Sequence, residues 1–151
     1  MKLEKLASVA EISSALAVVI TLIILIANVR ENTETTRLAA YQSSIDRFNN
    51  WREEVSSDYR KADIFRRFNE GEVPADGTTE RQILQMVLHT LTNNFESAYF
   101  AYRNKLMGEQ EWARIEKSAC QAMGNIRNSP LEEDVNFRLT EEYKDYLENV
   151  C

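Results

Sequence analysis

One histidine, two cysteines, two prolines and four glycines among 151 residues leave little room for several common chemistries. With His89 the sole imidazole and no Cys-x-x-Cys or Glu-x-x-His pair, the usual spacings supply no set of three or four metal ligands. Neither a metal nor another cofactor is therefore expected. The glycines, Gly71, Gly77, Gly108 and Gly124, stand one at a time, which excludes a glycine-rich phosphate loop. No Ser or Cys lies on a recognisable strained turn, so no catalytic residue is assigned. Cys120 and Cys151 are too few for a disulfide framework; two well-separated thiols fit a reducing compartment, with a single intramolecular or intermolecular bridge left open. Stretches that alternate with period two are missing as well, and strands are not expected.

What the chain does have is an uncharged run from Ile12 to Val29, bounded by Glu11 and Arg30. At about 1.5 Å per residue, as a helix it matches the thickness of a bilayer's hydrocarbon core. Its second half is rich in β-branched Ile, Val and Thr, a poor choice for a soluble helix and an acceptable one in lipid. A cleaved signal peptide would need small residues at its end, but the run passes through Ala27, Asn28 and Val29 straight into the charged segment RENTETTR. Residues 1–30 are thus read as a retained membrane anchor and 31–151 as a soluble helical domain. Basic residues flank the run almost evenly, Lys2 and Lys5 before it and Arg30, Arg37 and Arg47 after it. A bacterial inner (cytoplasmic) membrane location with the C-terminal domain in the cytoplasm is the expectation.

Three basic and two acidic side chains fall in residues 1–30, leaving fifteen basic and twenty-two acidic in 31–151, a balance of −7. An acidic domain without a Lys/Arg stripe is a poor partner for nucleic acid, so none is expected. The first helix is read as continuing from the anchor over 31–56, with Leu38, Tyr41, Ile45, Phe48, Arg52 and Val55 as its packing seam. A short helix over 58–69 and a loop over 71–78 follow, with Thr79 and Gln82 as a capping box. Leu84, Leu88, Leu91, Phe95, Ala98, Tyr102 and Leu106 then mark one face of a helix over 79–106, the centre of the domain. Gly108 separates it from a helix over 109–123, with Trp112, Ile115, Ala119 and Met123 inward. Short helices over 130–137 and 141–149 complete an all-α chain, the former opened by Ser129 and Pro130.

His89, Asn93 and Glu96 share a flank of the central helix, and Tyr99 and Arg103 extend it among Phe95, Phe100 and Tyr102. His89, Glu96, Tyr99 and Arg103 are the candidate ligand-binding residues, with Glu96 and Arg103 as polar anchors of an aromatic pocket. The competing reading is packing: a half-buried histidine satisfied by Glu96 or a carbonyl, and core aromatics beside a buried ion pair. Within the anchor, Ala10, Ser14, Ala17, Thr21 and Asn28 line one side of the helix, a small and polar face on which a second copy could pack.

Glu11, the apolar run, Asn28-Val29-Arg30-Glu31-Asn32-Thr33 and Ala39-Ala40-Tyr41-Gln42 together resemble a widespread group of uncharacterised bacterial single-pass membrane proteins with a juxtamembrane Arg-(Gln/Glu)-Asn-Thr motif. Phe95-Glu96, Tyr99, Tyr102-Arg103 and Glu111-Trp112 are similar to that group's C-terminal helical half. The resemblance implies a membrane-anchored helical protein and brings no activity with it. Glu31 and Glu34 depart from it, since similar proteins tend to carry Gln or Arg there. The expected function is a non-enzymatic interaction or scaffold module on the lipid bilayer, self-associating or bound to a protein partner. The alternative is a small-ligand sensor or enzyme built around Glu96, His89, Tyr99 and Arg103.

Overall fold

The structure, a computed structural model, describes the backbone from Lys2 to Cys151 and the side chains from Ser13 onwards. It is all-α among the described residues, with six helices: α1 Lys2–Ser57, α2 Tyr59–Asn69, α3 Thr79–Arg103, α4 Glu109–Arg127, α5 Glu132–Asn136 and α6 Glu141–Val150. Two compact units divide the chain, Met1–Arg37 and Leu38–Cys151.

In the first unit every described side chain is exposed, including Leu16, Ile20, Ile23 and Ile26. An 18-residue window there has a mean hydropathy of 2.1 with none of it buried, so the segment is long and apolar enough to cross a membrane. Its threonines complete their hydrogen bonding inside the helix. Thr21 Oγ1 donates to the Ala17 carbonyl, and Thr33, Thr35 and Thr36 donate in the same way to Val29, Glu31 and Asn32.

The second unit is built on α3. Leu84, Leu88, Leu91, Phe95, Ala98 and Tyr99 are buried along it, and a narrow strip of Gln82, Met86, Thr90, Asn93 and Ser97 faces solvent. Residues 38–57 of α1 pack on this helix through four of the six seam residues: Val55 is buried and Tyr41, Ile45 and Phe48 are half-buried, whereas Leu38 (65%) and Arg52 are exposed. Ser44, buried, and Trp51, half-buried, join the face from outside the seam. The Trp51 indole N–H donates to the Val87 carbonyl (3.1 Å) and the Asn94 amide to the Arg47 carbonyl (3.3 Å). A seam pattern counts apolar residues only and does not register such polar anchors.

Helix ends depart from the sequence expectations for identifiable reasons. The side chain that caps α3 is Thr78, which accepts from the Arg81 N–H, and not Thr79, which is already helical. At its other end α3 stops at Arg103, short of 106. Lys105 adopts φ 59°, Leu106 N–H bonds the Ala101 carbonyl (2.8 Å) and Lys105 N–H bonds the Tyr102 carbonyl (2.9 Å). This is a Schellman ending with lysine where glycine usually stands, hence invisible to a search for glycine. α2 ends by the same motif with the expected residue, Gly71 at φ 91°. α4 runs through Gly124 to Arg127 because the fully buried Ile126 secures its last turn. α5 starts two residues later than expected, at Glu132; Ser129 Oγ accepts from the Leu131 N–H, and the Pro130 carbonyl takes a bond from the buried Arg81 (2.9 Å).

Of the alternatives left open for the two thiols, the structure has the intramolecular bridge: Cys120 of α4 and Cys151, just past α6, form a disulfide with Cα atoms 5.1 Å apart. Thirty-one residues separate them in sequence, but α6 returns against α4, where the Trp112 indole donates to the Tyr146 hydroxyl (2.8 Å).

No atom lies within 4 Å of a Cβ built on Gly124. Gly124→Ala should therefore raise unfolding stability by about 0.5–1 kcal/mol in thermal or denaturant unfolding, the ordinary helix-interior difference between the two residues. A loss of stability would mean that α4 is not a continuous helix at that point.

Candidate functional site

Along the flank of α3, three of the four residues singled out from sequence, Glu96, Tyr99 and Arg103, meet the first turn of α6, and the fourth, His89, meets α5. Glu96 reaches the start of α6, where its Oε1 accepts from both the backbone N–H (2.8 Å) and the hydroxyl (2.7 Å) of Thr140. Thr140 is the N-cap of α6 and makes no side-chain cap bond of its own to that helix. A carboxylate from α3 thus fixes the residue that begins α6, and its charge suits the positive end of a helix dipole.

One turn further on, the Tyr99 hydroxyl (3.3 Å) and the Arg103 Nε–H (3.0 Å) both donate to Glu142 Oε1. The ion pair expected to be buried lies at the surface, with Arg103 58% and Glu142 50% exposed, and its acid is Glu142 rather than Glu96. Exposed pairs of this kind contribute little stability. The buried part of the arrangement is aromatic. Tyr99 packs against Trp112, Tyr143 and Tyr146 with ring centroids 4.6–5.9 Å apart, while Trp112 stacks on Tyr102 at 5.6 Å. Tyr146 donates in turn to Glu116, and the Trp112 indole also reaches that carboxylate (3.1 Å). Burial pushes the Tyr146 phenol up to about 12, aided by the Glu116 carboxylate. Tyr143 is shifted up further, again chiefly by burial, and its hydroxyl has no partner among the described residues.

His89 stands apart from this cluster. It faces α5, in a shallow depression of about 280 Å³ lined by Gln85, Asp134, Phe137 and Arg138. Burial is the main cause that lowers its pKa, followed by the nearby Arg138 charge; the Asp134 backbone acts the other way. Its Nε2 is buried, without a partner among the described residues. The histidine is half-buried, as a packing role implies, but Glu96 is not what satisfies it. Among the described residues no group of three His, Cys, Asp or Glu could hold a metal ion. In the first unit Ser14, Ala17, Thr21 and Asn28 are all exposed, and the side chains of Ala10 and Glu11 lie outside the described residues.

Another concavity, free of these commitments, is one the sequence reading did not assemble. It is a groove of about 440 Å³ between residues 45–52 of α1 and residues 114–125 of α4, with α3 beneath and α2 at one end. Phe48, Trp51, Phe65 and Phe95 form its apolar surface, paired as Phe48 with Phe95 (5.1 Å) and Trp51 edge-on to Phe65 (5.3 Å). Arg52 and Arg114 line it from the two walls, and neither makes an ion pair or side-chain hydrogen bond among the described residues. At one end the Asn125 amide donates to Asn69 Oδ1 (3.2 Å), tying α4 to α2. One sign of the groove was available from sequence, an arginine at position 52 on a seam of otherwise apolar residues.

Compared with protein-family models, with curated proteins and with solved structures, the chain matches none.

A histidine whose folded-state pKa lies below its unfolded value binds fewer protons when folded, so its contribution to stability is present above about 6.5 and is lost as the pH falls through that value. Unfolding stability measured from pH 7.5 to 5 should decline more steeply in the wild type than in His89→Asn. Parallel curves would show that His89 is not desolvated in the folded state.

Proposed function

We propose that this chain is a single-pass protein of the bacterial cytoplasmic membrane whose helical domain, residues 38–151, is a non-catalytic binding module. The anchor reading is supported by the fully exposed apolar surface of residues 13–29 and by the juxtamembrane resemblance described above. Water would impose a large cost on that surface, and a bilayer removes it.

The observation that carries the binding reading is a division of labour among the polar groups. Glu96, Tyr99 and Arg103 are engaged in holding α6, whereas the groove between α1 and α4 stays open with two arginines unengaged. Polar groups that catalyse have to be free to exchange partners during a reaction, and Glu96, Tyr99 and Arg103 are occupied within the fold.

The module is assigned to an oxidising compartment, in place of the cytoplasmic side expected when the two well-separated thiols were read as fitting a reducing one. The Cys120–Cys151 bridge supports this placement, since such bonds persist outside the reducing cytosol. In bacteria producing the full chain, alkaline carbonate should leave the protein in the membrane fraction. Both thiols should resist a maleimide-polyethylene glycol reagent under denaturing conditions until a reductant is added, and should then show a double mass shift. Release by carbonate would remove the anchor, and labelling without reductant would return the domain to the cytoplasm.

A further inference from the structure

We infer that the groove between α1 and α4 is a binding site for a small amphiphilic carboxylate taken from solution, its apolar body on the Phe48, Trp51, Phe65 and Phe95 surface and its anionic head between Arg52 and Arg114. The inference deepens the binding-module reading by naming a ligand class, and it does not depend on the membrane anchor.

Three features support it. A volume of about 440 Å³ lies within the range of small-molecule sites, with a mostly apolar lining and a few convergent polar groups. Half of its apolar lining residues are aromatic, Phe48, Trp51, Phe65 and Phe95 beside Ile45, Leu91, Ile115 and Ala122, and such rigid rings do not need to be frozen on ordering a ligand. Charge is the third and selects the sign of the ligand. The domain is acidic, and six of the fourteen Lys and Arg side chains in residues 38–151 face a carboxylate: Arg66, Arg67, Arg81, Arg103, Lys61 and Lys144. Arg52 and Arg114 face none among the described residues, and they border the apolar depression from its two walls. A carboxylate supplies the missing acceptor in the forked geometry that guanidinium groups favour. Asn49, Ser118 and Gln121 on the same walls add further hydrogen-bonding groups for a polar head.

The full chain in phosphatidylcholine nanodiscs is titrated with 4-phenylbutyrate and with its neutral amide, against empty nanodiscs, by calorimetry and by tryptophan fluorescence. Trp51 lines the groove and Trp112 does not, so Trp51→Phe should remove the optical signal while the calorimetric one remains. The acid is expected to bind saturably and roughly ten-fold or more tighter than the amide, the scale of one charge-assisted contact. Both substituted arginines are exposed, so Arg52→Gln with Arg114→Gln should keep the fold and bring the acid down to the affinity of the amide. Ser118→Trp, which fills the groove from an exposed position, should abolish both.

Equal affinity for acid and amide, an unchanged affinity in the double arginine variant, or no saturable binding would each overturn the proposal. So would competition on replacing phosphatidylcholine by phosphatidylglycerol, which would make the anion a lipid headgroup. Conversion of an oligomer to a monomer by Ser118→Trp would make the occupant a second copy of this chain. None of these failures would alter the carbonate or thiol-labelling results, which test the anchor and the compartment separately.

Discussion

Burial of α3 is the constraint on which the domain depends. A 25-residue helix that hides most of its circumference cannot be covered by one neighbour, and the remaining elements of the domain are arranged to share that surface. Each fully buried leucine or phenylalanine on it contributes about 1.5–3 kcal/mol of transfer free energy, so Leu84, Leu88, Leu91 and Phe95 outweigh any surface ion pair in the domain. Because α1, α2 and α4 meet α3 from different sides, the space between α1 and α4 is where coverage is incomplete, and the groove follows from that geometry.

The same constraint explains why residues with chemical potential serve as fasteners. α6 has ten residues, too short to be stable alone, and its apolar face offers two buried side chains, Tyr143 and Leu147. Its attachment relies on both of its ends. Glu96, Tyr99 and Arg103 hold the beginning through Thr140 and Glu142, and Cys120 holds the far end through Cys151. Closing a loop of 31 residues with a disulfide removes roughly 3–4 kcal/mol worth of unfolded-chain entropy, a large share of the stability of a domain this size. A carboxylate, a phenol and a guanidinium on one helix flank look like a site in a one-dimensional sequence. In three dimensions they meet the N-terminal turn of another helix.

Period-based features were legible from the residues: the all-α class, the apolar run and the inward face of α4, whose Trp112, Ile115, Ala119 and Met123 are buried and joined by Ile126. Features set by a single backbone torsion were not. Lys105 takes the left-handed conformation because α3 must turn sharply before α4, and nothing about lysine advertises that role. The helix read over 109–123 continues through Gly124 to Arg127, because tertiary burial of Ile126 secures its last turn. The disulfide and the groove depend on which helices become neighbours, information carried by the whole packing arrangement. Arg81 is the clearest omission. A cation in the first turn of a helix reads as a solvated residue, yet it is buried and bonds the carbonyl of Pro130, forty-nine positions away.

The central claim is that the α3 flank acts structurally, by holding α6. Amide hydrogen exchange of the full chain, comparing wild type with Glu96→Ala, tests it most directly. Faster exchange across Glu141–Val150 with residues 84–95 unchanged is the result that this account requires. Unaltered protection of α6 would show that the Glu96 carboxylate is not holding that helix and is available for the chemistry that its position on the flank first suggested.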